Sequence, residues 1–216
     1  MTSKTIRSRA IAALLATAFC ACQKEPSTSD LHQDYLVYTG HDTATDFSLF
    51  ETFFIPDSIL LISDNKKIEY WKDEDALEII DAVVAEMTGA GYVRVLDKED
   101  ADLGIQPSYV ERVTYFVGQD DPYWWWYYPY YWSPGYWGDW AGWHYPYRVH
   151  YGYTAGSLLL EMVELDVEPA TQSSQRLPVL WDTFIGGLLT SNARVNQQRT
   201  LAAIEQAFVQ SPYLYE

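Results

Sequence analysis

Side chains able to do chemistry are unevenly spread over this 216-residue sequence. Its two cysteines, Cys20 and Cys22, lie two residues apart behind an apolar run, and there are no others. The segment that follows therefore has no thiol nucleophile, thiolate metal site or internal disulfide. Rings crowd a second place. Tyr123-Trp124-Trp125-Trp126-Tyr127-Tyr128-Pro129-Tyr130-Tyr131-Trp132 runs on through Trp137, Trp140, Trp143, Tyr145, Tyr147, Tyr151 and Tyr153, so that seven of the nine tryptophans fall within residues 119–153. Each such ring has an apolar face and a polar edge, which suits stacking on a sugar, anchoring a protein partner, or lying at a boundary between wet and dry surroundings. His144 and His150, with Asp120, Asp121 and Asp139, have metal-ligand types but not metal-ligand spacing. Hydrogen-bonded or solvated roles are expected of them, and no metal or other cofactor. Nothing has the pattern of a nucleophile elbow, a phosphate loop or a zinc helix. Many carboxylates are present, but the sequence offers no cleft to single out an acid–base pair. Asp57 and Ser58 fit turn chemistry. The expectation is a protein that is not an enzyme.

The surroundings of the cysteines specify their chemistry. Lys4, Arg7 and Arg9 precede a largely apolar run of ten residues, Ala10 to Phe19. Ten residues are too few to cross ~30 Å of hydrocarbon as a helix, but they suit the core of an export leader. Phe19-Cys20-Ala21-Cys22 resembles the bacterial lipobox, in which a small residue precedes the acylated cysteine. Ala21 before Cys22 satisfies that rule and Phe19 before Cys20 does not, so cleavage before Cys22 and acylation of Cys22 are expected. Residues 1–21 then form a signal peptide and residues 22–33, polar from Gln23 to Asp30, a flexible tether. No Asp follows Cys22 directly, which by analogy with lipoprotein sorting points to the outer membrane. Gln23-Lys24-Glu25 resembles the acidic export signals of surface lipoproteins in the Bacteroides group. Either face of that membrane, periplasmic or cell-surface, remains open.

Charge supports an anchor made of lipid. Loss of the leader leaves 11 basic against 30 acidic side chains, a balance of −19. Such a surface repels nucleic-acid phosphates and anionic head groups alike, so a nucleic-acid partner and a polybasic membrane patch are both disfavoured, and no nucleic-acid partner is expected. Two or more acyl chains on one residue hold a protein at a bilayer without help from charge, at ~0.8 kcal/mol per buried methylene.

The elements that must position these side chains can be read from residue 34 to 216. Tyr35–Tyr38 and Phe50–Ile55 read as strands, and Ser58–Ile62 continues or pairs with the second, beyond Pro56. Asp73, Glu74 and Asp75 open a helix whose apolar stripe is Leu77, Ile80, Val84 and Met87, widened by Ile79 and Val83. Gly89 and Gly91 close it. Tyr92–Leu96 reads as a strand, and Leu103–Val117 as a longer one bent at Pro107. Ser157–Val167 and Leu177–Leu188 form an antiparallel hairpin. A second helix covers Ala193–Val209, with Val195, Leu201, Ile204 and Phe208 on one face and Pro212 past its end. These elements predict a single α+β domain, a mostly antiparallel sheet with two amphipathic helices on one face. Residues 119–153, broken by prolines and glycines, form a long loop between strands.

Several segments resemble, in order, the bacterial family called domain of unknown function 4136: Asp46-Phe47-Ser48-Leu49-Phe50-Glu51-Thr52-Phe53, Ala101-Asp102-Leu103, Gly156 to Val163, Trp181 to Gly187, and Ile204 to Pro212. They span about residues 34 to 212. Members are typically bacterial lipoproteins, in agreement with the leader, and the family has no established activity or catalytic residues to carry over. The hairpin connection is longer here, and residues 119–153 are more aromatic than the family pattern. Three roles are open to those rings: capping the sheet, binding a glycan or an envelope protein, or touching the membrane. The leading functional expectation is a lipid-anchored envelope module without catalysis. The alternative is a surface glycan-binding lipoprotein using Trp124, Trp125, Trp126, Trp132, Trp137, Trp140 and Trp143.

Overall fold

A computed structural model describes residues 35–63, 67–111, 134–137, 142–147, 155–165 and 176–215. Among the described residues nine strands form one sheet. Its centre is two long neighbours, β8 (Ser157–Glu164) and β9 (Leu177–Gly186), paired antiparallel with Leu158 opposite Ile185 and Glu161 opposite Asp182. A bulge at Met162 and Val163 interrupts their ladder. β1 (Leu36–His41) runs antiparallel along the other side of β9. β6 (Leu103–Val110) runs antiparallel along β8.

Beyond β6 the direction changes. β2 (Thr52–Phe54) lies parallel to the start of β6, and β3 (Ile59–Ile62) lies parallel to its end. Ser58–Ile62 therefore continues the preceding strand along the same neighbour. Pro107, which offers no N–H, falls in the gap between them, past Gly104 where β2 stops and before Ser108 where β3 begins. β4 (Glu69–Trp71) adds antiparallel to β3, and β5 (Val93–Arg94) adds parallel to β2. β7 (Trp143–His144) pairs with the first residues of β9.

The sheet is thus mixed: β1, β9, β8 and β6 pair antiparallel, whereas β7 lies parallel to β9 and β2, β3 and β5 bring parallel pairing beyond β6. Between β2 and β5 the chain passes through β3, β4 and a helix, a connection long enough to bring β5 back parallel to β2. Of the expected strand at Tyr92–Leu96, only Val93 and Arg94 pair. The strand expected to reach Val117 is described as far as Val110, and residues 112–117 lie outside the described residues.

Helix α1 (Glu74–Gly89) is capped by Asp73, whose carboxylate accepts from the Ala76 N–H at 3.1 Å. It ends where Gly91 takes a φ of 107°, which a side chain would resist. Its buried stripe is Ala76, Ile79, Ile80, Val83 and Met87. Leu77, expected in that stripe, is 44% exposed. The buried face thus takes in Ala76 in place of Leu77. A second turn of helix, α2 (Pro134–Trp137), precedes β7. Helix α3 (Ala193–Val209) starts at Asn192, whose side chain accepts from the N–H groups of Arg194 and Val195, and buries Ala203, Ile204, Ala207 and Phe208. Both long helices cover one face, where their apolar residues meet Leu103, Ile105, Leu158, Leu160, Met162 and Trp181. In β8 burial is unbroken from Ser157 to Val163, so the opposite face is covered as well.

Asp102 ties the two halves of the sheet together. Its carboxylate accepts from the N–H groups of Glu51 and Thr52, both at 2.8 Å. Burial alone would raise its pKa, but these N–H groups and the Thr52 hydroxyl hold it below the usual carboxylate range.

Candidate functional site

The face away from the long helices carries a row of polar residues at its centre. Strand side chains alternate, so Glu161 points with Leu159 and Val163, Asp182 with Phe184, and Gln106 with Ser108 and Val110. The pairing aligns them: Gly40 lies opposite Asp182, Asp182 opposite Glu161, and Glu161 opposite Gln106. Four adjacent strands therefore present glycine, two carboxyl groups and an amide in one line. Gln106, Glu161 and Asp182 are all 0% exposed.

Burying such groups costs several kcal/mol unless they are hydrogen-bonded. Three rings from the aromatic segment supply donors. The Trp137 indole N–H donates to Gln106 Oε1 at 2.6 Å, and the Tyr147 hydroxyl donates to Asp182 Oδ1 at 2.6 Å. Between them the Tyr145 hydroxyl donates to Glu161 Oε1. Gln106 passes the chain on, its amide donating to Ser108 Oγ at 3.1 Å. The rings pack on one another as they do so. Trp137 and Trp143 meet edge to face at 5.3 Å, and Tyr145 and Tyr147 at 5.9 Å.

Two glycines make the approach possible. A Cβ on Gly104 would stand 2.5 Å from Trp137 Cζ3, and one on Gly40 would stand 2.7 Å from Asp182 Oδ1 and 3.1 Å from Tyr147 Cε2. The rings lie where other strand residues would carry side chains.

The electrostatics follow from the packing. Burial pushes the Glu161 carboxyl well above the usual carboxylate range, and Asp182 opposite it pushes it further. Both effects favour its neutral form. Burial likewise pushes the Tyr147 hydroxyl well above its ordinary value, reinforced by Asp182, so it stays a donor. Two carboxyl groups side by side are a pattern that acid–base enzymes use. Here the ring hydroxyls sit on the acid oxygens, and both acids are fully buried. The arrangement is built to hold rings against a sheet.

Two rings that the sequence puts among the binding candidates, Trp137 and Trp143, are core residues here, each 2% exposed. They join Tyr145, Leu159, Val163, Leu177, Val179 and Phe184 in a second apolar cluster, with Tyr136 and Tyr147 packed against it. Cys22, Trp124, Trp125, Trp126, Trp132 and Trp140 lie outside the described residues. So do Asp120, Asp121, Asp139 and His150, while His144 sits in β7. Among the described residues no group of three His, Cys, Asp or Glu could hold a metal ion, and no helix is long and apolar enough to cross a membrane. Glu161, Asp182 and Gln106 are the residues sequence reading passed over. Their signal was present: Gln106, Glu161 and Asp182 are large polar residues within strands, and the residues directly before and after each are buried.

Residues 37–213 match the family described as domain of unknown function DUF4136, and this chain belongs to it. A crystal structure of a DUF4136 family protein from Bacteroides thetaiotaomicron is similar at 44% sequence identity and a TM-score of 0.74, covering 83% of this chain and 97% of that one. A PelC dodecamer structure from Paraburkholderia phytofirmans aligns over 83% of this chain and 96% of its own, at 10% identity and a TM-score of 0.36. No curated protein matches the chain.

Proposed function

We propose that this protein is a lipid-anchored component of the Gram-negative envelope, held at the outer membrane through acyl chains on Cys22, whose domain serves as a non-catalytic interaction or structural module. One observation carries the second half of this reading. The buried acids best suited to acid–base work, Glu161 and Asp182, accept hydrogen bonds from Tyr145 and Tyr147 and lie beneath them. The first half is supported by the leader, the lipobox-like Phe19-Cys20-Ala21-Cys22 and an acidic balance that leaves lipid as the means of attachment.

Growth with a labelled fatty acid tests the anchor. The native protein is expected to carry label and stay with membranes in high salt, and Cys22→Ser to lose both. An unlabelled native protein that washes off with salt overturns the reading. Cross-linking in intact cells tests the module, with an envelope protein as the expected capture. Carbohydrate binding lost on Trp124→Ala or Trp132→Ala would instead give the aromatic segment a recognition role.

A further inference from the structure

The register of six strands defines one end of the sheet. Leu36 of β1 lies opposite Gly186 of β9, Leu158 of β8 opposite Ile185, Ser157 opposite Val110 of β6, Ile62 of β3 beside Val110, and Glu69 of β4 opposite Leu61. The chain enters the fold at this end, through Tyr35 into β1. Three large apolar side chains are left in solvent there: Leu36 at 60%, Leu189 at 53% and Ile68 at 38% exposure. We propose that this end of the sheet lies against a zwitterionic bilayer, with Leu36, Ile68 and Leu189 in its interface. The proposal rests on the acylation of Cys22 and adds to it an orientation and a contact.

The contact surface is built into the fold. The Leu188 N–H donates to the Gly156 carbonyl at 3.3 Å, and a Cβ on Gly156 would stand 2.2 Å from Leu189 Cγ, so the turn after β9 is packed on the start of β8. The Glu111 N–H donates to the Ile62 carbonyl at 2.9 Å and closes the same end at β3. Neighbouring strands lie ~4.8 Å apart, so Leu36 and Ile68, at the two margins, stand about 24 Å from each other. Apolar side chains spread along such a line suit a flat surface and not a pocket.

Chain length and charge choose that surface. From Cys22 to Tyr35 the chain reaches ~45 Å fully extended and about 20 Å as a coil. The far end of the sheet lies a further ~25 Å away, the length of an eight-residue strand such as β6. An anchor at Cys22 therefore presents the near end to the bilayer at much the higher effective concentration. The far end exposes Leu49 and Leu96, but it also carries Asp42, Glu51, Asp97, Glu99, Asp100 and Glu164, whose hydration opposes entry into an interface. The near end carries Lys67, Glu69 and Glu111, and on the helix side α1 opens with Asp73, Glu74 and Asp75. Without a cluster of cations among the described residues, contact depends on apolar area, and the acids favour zwitterionic over anionic head groups.

The folded part contains no cysteine, so single thiols introduced into it can be labelled one at a time. The full-length acylated protein, carrying a fluorescent probe at Leu36→Cys, Ile68→Cys or Leu189→Cys, or at Leu49→Cys or Leu96→Cys on the far end, is reconstituted in phosphatidylcholine–phosphatidylethanolamine vesicles. The first three probes are expected to shift to the blue, to be quenched by brominated lipid and to lose quenching by iodide. The other two are expected to behave as in water. Leu36→Ser, Ile68→Ser and Leu189→Ser combined, read by a probe at Lys67→Cys, should return the near end to water while the protein stays on the vesicles. Lipid quenching as strong at the far end as at the near end, in a protein that still pellets with the vesicles, overturns the proposal and leaves the anchor standing. So does a Lys67→Cys probe unmoved by the three serines, and so does contact that appears only when phosphatidylglycerol is added. A protein that washes off the vesicles in salt overturns both readings.

Discussion

The two faces of this sheet are filled by different chemistry. The helix side is mostly apolar, built from Phe53, Ile79, Ile80, Val83, Leu160, Ile204 and Phe208, with scattered polar contacts such as the Trp181 indole N–H donating to Ser211 Oγ at 2.9 Å and the Tyr92 hydroxyl donating to the Phe47 carbonyl at 3.4 Å. The ring side has an apolar rim around a line of buried acceptors, each met by one aromatic donor. The first face is held by area removed from water, which is non-directional. The second is held by matched pairs, which fail when one atom is lost. Apolar helices can shift and still pack, whereas rings that must place a hydroxyl on a carboxyl oxygen have one position.

Substitutions that separate these two modes should break or sharpen the contrast. The largest effect is expected on the helix side: Phe208→Ala should lower the free energy of unfolding by about 3–5 kcal/mol in urea titration, through lost transfer and an unfilled cavity. On the ring side a change of one atom should suffice. Tyr147→Phe keeps the ring but removes a donor from buried Asp182, and should cost about 1–3 kcal/mol. The same loss from a conservative change on the helix side would erase the distinction. Gly104→Ala should cost about 1–3 kcal/mol by forcing the Trp137 indole off the sheet, with a matching change in near-ultraviolet circular dichroism.

A pH series offers a finer test. Glu161 has a folded-state pKa raised above its ordinary 4.5, so the unfolded chain gives up this proton first. Its favourable contribution is complete below about 4.5 and is lost as pH rises from there through the folded value. Glu161→Gln, a permanent neutral mimic, should remove that decline, so the stability difference between the two proteins should change in the mutant's favour as pH rises above 4.5. A constant difference across that window would show Glu161 to be ionised in the fold. The smallest effect belongs to Leu77→Glu, within about 0.5 kcal/mol, because that side chain faces water.

The helices were legible in the sequence because a 3.6-residue period, a capping acid or amide and a closing glycine act within a few neighbouring residues. Asp73, Asn192 and Gly91 do in the fold what their types suggest. The long strands β8 and β9 were legible too, from apolar runs bounded by turn residues. The site was less so. Glu161 and Asp182 were visible as acids inside apolar runs, but nothing local says that they lie opposite each other.

The sequence by itself determined where the helices start and stop, which strands run through the core, and which family the chain resembles. Only the tertiary structure decided strand direction at the β2–β5 edge, the face of α1 that turns inward, and the fate of Trp137 and Trp143. Those outcomes depend on register between segments far apart in the chain: one residue of slip would turn Glu161, Asp182 and Gln106 to the other face and leave the rings without partners.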